Sequence, residues 1–137
     1  MEGDGVILDT HTLLWIDRND PSVGMQARQQ VEAAWRSAWV AVSAISFWEV
    51  AMLAERGRVA LSVSPEQWRL DWLQAGLIEI PVDGTIVLKA CRLEDFHRDP
   101  ADRFIVATAL AKSASLVSAD REILDWEGDL DRIDARV

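Results

Sequence analysis

Gly5-Val6-Ile7-Leu8-Asp9-Thr10 is a short, wholly apolar run that stops at an acid. Runs of this kind, bounded by polar residues, suit strands buried on both faces of a parallel sheet. Three more stretches share the pattern: Trp39-Val40-Ala41-Val42, Leu77-Ile78-Glu79-Ile80 and Ser115-Leu116-Val117-Ser118. Ile133 and Val137 can pair as a last short edge strand. Helical punctuation fills the intervals. Pro21-Ser22 precedes a helical stretch that runs to about Ser37. Ser43 is placed to cap another that runs to Arg56, with Gly57 just past its end. Ser64-Pro65 supplies an N-cap and N1 proline for a helix closed by Gly76. Asp83 opens a further segment, and Asp99-Pro100 opens one that runs to about Lys112. This last helix is apolar nearly all round and should be deeply packed. Strands alternating with helices imply one α/β domain over residues 1–137, with a central, mostly parallel sheet of four to five strands and helices on both faces.

The chain has 137 residues, half of them hydrophobic, with a formal charge of −9. These values suit one globular domain and exclude wholesale disorder. No apolar run approaches the length of a membrane span. Met1-Glu2-Gly3-Asp4 is acidic, unlike the start of a secretory signal peptide. Cys91 is the single cysteine, which excludes an internal disulfide framework and a cysteine-based zinc site and fits a cytoplasmic setting. It is expected to be a small buried apolar residue. The acidic balance also argues against a basic nucleic-acid-binding face.

In open α/β sheets ligands bind beyond the carboxyl ends of the strands. Asp9 closes the first strand, Ser43 follows the second and Asp120 follows the fourth. Glu49 lies in the second turn after Ser43, on the same helix face as Ser46. Asp102 sits in the first turn of the apolar helix. Four carboxylates converging without matching bases repel, so the cluster is tenable mainly when cations occupy it. All-oxygen ligands favour Mg²⁺ or Mn²⁺ over zinc. Two such ions can clamp an in-line phosphoryl displacement, which makes a phosphodiester a fitting substrate. Each acid also has a structural reading. Asp9 can serve as a cap, and Asp99 with Asp102 can form a capping pair. Glu49, set among Phe47, Trp48, Val50, Ala51 and Met52, carries the strongest single signal, because a glutamate there is seldom buried without a partner.

Four blocks in order carry a family resemblance: Gly5–Trp15, Ser43–Ala51, His97–Ala107 and Leu116–Arg121. Together they resemble the PIN domain, and more closely the VapC toxin ribonucleases of bacterial toxin–antitoxin pairs. The resemblance implies a PIN-like three-layer sandwich and Mg²⁺- or Mn²⁺-dependent endonucleolytic cleavage of single-stranded RNA. It further implies a type II toxin, a homodimer and inhibition by a cognate antitoxin protein. Asp9, Glu49 and Asp102 match the family's acidic positions, and Asp120 matches a fourth, less uniform one. Asp9 and Asp102 are then the expected metal ligands, with Glu49, Asp120 and Asp99 acting directly or through water. His11 stands where many members carry Asn, and Ala101 where a bulky residue is common.

Thr10, His11, Ser43, Arg103 and Arg121 are the remaining candidates for contact with substrate. His11 reads equally as an exposed helix residue, and the two arginines as partners of the neighbouring acids. His97 reads as a loop residue. The tryptophans read as packing before base stacking, although Trp68 and Trp72 can also line a groove for a partner helix. Two other functions remain open on sequence alone: an aspartate-nucleophile phosphatase, which the Ile7–Thr10 opening also resembles, and a non-catalytic binding module. The five candidate acids account for −5 of the charge and residues 121–137 for a further −3, leaving the rest of the chain close to neutral.

Overall fold

The computed structural model describes residues 5–137, so the acidic Met1–Asp4 segment lies outside the described residues. Five strands form one sheet: β1 (Val6–Leu8), β2 (Val40–Ser43), β3 (Ile78–Ile80), β4 (Ser115–Ser118) and β5 (Arg132–Asp134). Their order is β3-β2-β1-β4-β5, and every pairing is parallel. The expected sheet is therefore present, and it is wholly parallel.

Seven helices cover the sheet: α1 (Thr10–Asp17), α2 (Met25–Ser37), α3 (Ile45–Glu55), α4 (Pro65–Ala75), α5 (Gly84–Cys91), α6 (Pro100–Lys112) and α7 (Arg121–Leu124). Alternate residues of β1 face opposite layers. Ile7 packs with Ile86, Ala90, Ile105 and Val106 of α5 and α6. Val6 and Leu8 pack with Leu13, Val31, Val50 and Trp68 of α1 to α4. This alternation makes three layers.

Local chemistry sets the helix ends. Ser64 accepts from the Gln67 N–H at 3.1 Å and Asp83 from the Ile86 N–H at 3.0 Å, as N-caps do. Gly76 ends α4 at φ +119°, a conformation that glycine adopts without a Cβ penalty. The helix expected after Pro21-Ser22 begins at Met25 and ends at Ser37. Asp20 Oδ1 accepts from the Ser22 N–H at 2.9 Å, and this turn holds Pro21 and Ser22 outside the helix. Ile133 enters the edge strand as expected, but Val137 does not. The Val137 carbonyl accepts from the Gln26 N–H at 3.1 Å, so the end of the chain docks on the start of α2. Cys91 is exposed rather than buried, because it falls on the last residue of α5, facing away from the core residues Ile86 and Ala90.

Arg103 and Arg132 clamp two loops through carbonyl oxygens. Arg103 donates to the carbonyls of Ala90, Leu93, Phe96 and His97 at 2.8–3.0 Å. Arg132 does the same for Ile123, Leu124, Trp126, Gly128 and Leu130 at 2.6–3.2 Å. A guanidinium carries five N–H donors in a fixed fork, which is why arginine performs this task.

Candidate active site

The chain leaves β1 toward β2 on one side and β4 on the other, so the order reverses at the carboxyl ends of β1 and β4. Such a switch point opens a crevice in doubly wound sheets. Here the crevice is a cleft of about 290 Å³ lined by Asp9, Glu49, Asp99, Asp102 and Asp120. All five expected acids are thus brought together by residues far apart in the chain.

Each acid is held by its own element. Asp9 caps α1: its Oδ1 accepts from the Thr12 N–H at 2.9 Å. Its Oδ2 accepts from Ser118 Oγ at 2.5 Å, a contact made possible because Leu8 lies in register with Val117. Asp9 thus caps α1 and lines the cleft at once. Thr10 is buried and its hydroxyl donates to Glu49 Oε1, while Ser46 Oγ lies 2.9 Å from the same hydroxyl. Asp99 caps α6 by accepting from the Ala101 N–H at 3.1 Å. Asp120 caps α7, with Oδ1 accepting from the Glu122 N–H at 2.8 Å. Asp102 does not complete a capping box with Asp99; its Oδ2 lies 3.1 Å from His97 Nε2.

Crowding of acids shows in their proton affinities. Burial raises the Asp9 carboxyl despite the hydrogen bonds from Ser118 and Thr12 that favour its ionised form. Burial also raises Glu49, reinforced by the charge of Asp99 and opposed by the Thr10 hydrogen bond. Asp102 is pushed up to about 8, first by burial and then by Asp99, Asp120 and Glu49. These residues suit a hard divalent cation, since oxygen donors that repel one another are neutralised by one.

Of the expected substrate contacts, Thr10 and the exposed His11 line the cleft. Ser43 does not: it is fully buried and accepts from the Ile45 N–H at 3.2 Å, where it shapes the turn into α3. Arg103 is spent on its four carbonyls. Arg121 pairs with Asp125 at 2.7 Å and approaches Asp134 at 3.7 Å. The guanidinium that does line the cleft belongs to Arg136, set 5.2 Å from the Trp15 ring centroid. Sequence reasoning missed Arg136 because only the parallel docking of β5 beside β4 brings it there. His97 lies in a loop, as the sequence predicts, but its ring stands against Asp102. Its proximity to Asp102 in the chain, five residues on, was the available signal. The tryptophan reading holds for Trp68 and Trp72, which stack edge-to-face with each other and with Phe47 and Trp35.

A five-stranded parallel sheet carrying a cluster of acids at its switch point defines a class of α/β domains with an acidic cleft. Comparison with known proteins identifies the family. The PIN domain model matches residues 6–127. The chain is 34% identical over 119 residues to Ribonuclease VapC22 of Mycobacterium tuberculosis, covering 86% of this chain and 88% of that protein. Among solved structures, VapBC2 of Rickettsia felis bound to a promoter DNA fragment is similar with a TM-score of 0.70 and 17% identity, over 95% of this chain and 99% of that one. DNA-bound VapBC of Salmonella typhimurium is similar with a TM-score of 0.69 and 18% identity, over 97% and 98%. The chain belongs to the PIN-domain family, on its VapC branch.

Proposed function

We propose that this protein is a Mg²⁺- or Mn²⁺-dependent endoribonuclease that cuts single-stranded RNA, the toxin of a type II pair held inactive by a cognate antitoxin. The convergence of five carboxylates in one cleft, three of them with raised proton affinity, carries this reading. Asp9 and Asp102 would hold the ion, with Glu49, Asp120 and Asp99 directly or through water. A bound divalent ion supplies neutralisation of the phosphodiester and a lowered pKa for attacking water. Ser118 and the Thr12 amide fix both oxygens of Asp9, so its remaining lone pairs stay aimed at the cleft. Thr10 fixes Glu49 in the same way. Arg136 and His11 stand at the rim, where they position the RNA backbone without reading its sequence.

Two surfaces support the partner assignments. A cleft of about 550 Å³ beside α4, lined by Leu61, Trp68 and Trp72, suits an apolar antitoxin helix. An apolar face formed by Ile45, Trp48, Val82 and Phe104, with Trp48 54% exposed, suits a second copy of the chain.

The test is cleavage of a labelled single-stranded RNA by purified protein with Mn²⁺, with EDTA, and by Asp9→Asn. Cleavage is expected with the metal alone and is expected to vanish under the other two conditions. Undiminished cutting by folded Asp9→Asn, or cutting in EDTA, would refute the proposal.

A further inference from the structure

His97 abuts the acid cleft at Asp102, from a side that the acid pattern does not predict. Its Nδ1 lies 2.9 Å from Glu122 Oε2, and its Nε2 lies 3.1 Å from Asp102 Oδ2. Nε2 is sealed from solvent and makes no hydrogen bond, so the Asp102 oxygen is close but off the line of an N–H. A neutral imidazole carries one ring proton. With that proton on Nδ1, 2.9 Å from Glu122 Oε2, Nε2 presents a bare lone pair toward the Asp102 oxygen.

A cation beside both atoms, which stand 3.1 Å apart, would be held by the two lone pairs together. Neighbouring ligands of an octahedral ion, at about 2.1 Å each, stand about 3 Å apart. Donor atoms of His97, Asp102 and Asp120 all fall within 4.8 Å of one another. A carboxylate behind the ring, fixing its tautomer, is the usual support of a metal-binding histidine. The ring is also held in place from behind: Arg103 binds the carbonyls of Phe96 and His97, both at 2.9 Å. The Phe96 ring packs with its centroid 4.4 Å from that of His97.

We propose that His97 is a metal ligand through Nε2, with Glu122 orienting the ring, and that the cleft is a mixed nitrogen–oxygen centre preferring Mn²⁺ to Mg²⁺. The inference rests on the metal-site reading above. Imidazole suits transition ions, whereas Mg²⁺ keeps to oxygen.

Pulsed electron paramagnetic resonance of the full chain titrated with Mn²⁺ tests this. A directly bound imidazole gives a ¹⁴N coupling, expected in the wild-type protein and absent in His97→Ala. Mn²⁺ affinity is expected to fall at least about ten-fold in His97→Ala and about ten-fold in Glu122→Ala, which keeps the coupling. Mg²⁺ affinity, measured by competition, is expected to change little in either. Mn²⁺ that binds the wild type and is lost in Asp102→Asn, yet shows no ¹⁴N coupling, overturns the assignment of His97 while leaving the acid site standing. A wild-type protein that binds no Mn²⁺ overturns both. The decisive readout needs no variant, so it does not depend on how His97→Ala folds.

Discussion

Replacing Asp102 by Asn should make the metal-free protein more stable at neutral pH while abolishing its activity. In the folded chain the Asp102 carboxyl is pushed up to about 8, against 3.8 for the free group. The folded state therefore keeps a proton that the unfolded state releases, and stability falls as pH rises from about 4 to about 8. Each pKa unit corresponds to about 1.4 kcal/mol, so the penalty at pH 7 is about 4 kcal/mol unscreened. Solvent at the open cleft brings it to about 2 kcal/mol. Asparagine has no such proton to hold, so urea denaturation in EDTA should show Asp102→Asn gaining about 2 kcal/mol over the wild type at pH 7 and nothing near pH 4. Added Mn²⁺ should raise the wild-type midpoint and leave the variant's unchanged. Parallel pH profiles for the two proteins, or a variant less stable at pH 7 in EDTA, would refute the reasoning.

Arg103→Ala removes four hydrogen bonds to half-buried carbonyls and should cost about 3 kcal/mol in urea denaturation, with lysine failing to restore it because one ammonium cannot reach all four. Arg136→Ala should raise KM for RNA several-fold with kcat little changed, and should flatten the salt dependence of RNA binding by about 0.7 in log–log slope, the loss of one phosphate contact. Trp48→Asp places a charge on the apolar face beside Phe104 and should shift the protein toward monomer in analytical ultracentrifugation while leaving the fold intact by circular dichroism.

Most of the architecture is legible in the chain because each signal is local. Apolar runs such as Val6–Leu8 and Leu116–Val117 mark strands buried on both faces, and Ser64-Pro65, Asp83 and Asp99-Pro100 mark helix starts that the structure realises. The acids are legible for a related reason. A carboxylate at a strand end or inside an apolar helix turn is costly, and Asp9 and Glu49 stand out against their neighbours. The arginines are not legible. Arg103 and Arg121 lie next to candidate ligands in the chain, yet one turns back to carbonyls and the other to Asp125, because a guanidinium satisfies whichever acceptors its long stem reaches first.

The sequence by itself determined the alternation of strands and helices, the parallel sheet and the identity of the acids that gather at its edge. Periodicity, capping and burial cost act over a few residues, and so they can be read along the chain. Only the tertiary structure decided which basic groups face those acids. Arg136 reaches the cleft because β5 docks beside β4, and His97 reaches Asp102 because Arg103 folds its loop back onto α6. Those contacts depend on the packing of distant segments, and no local pattern encodes that distance.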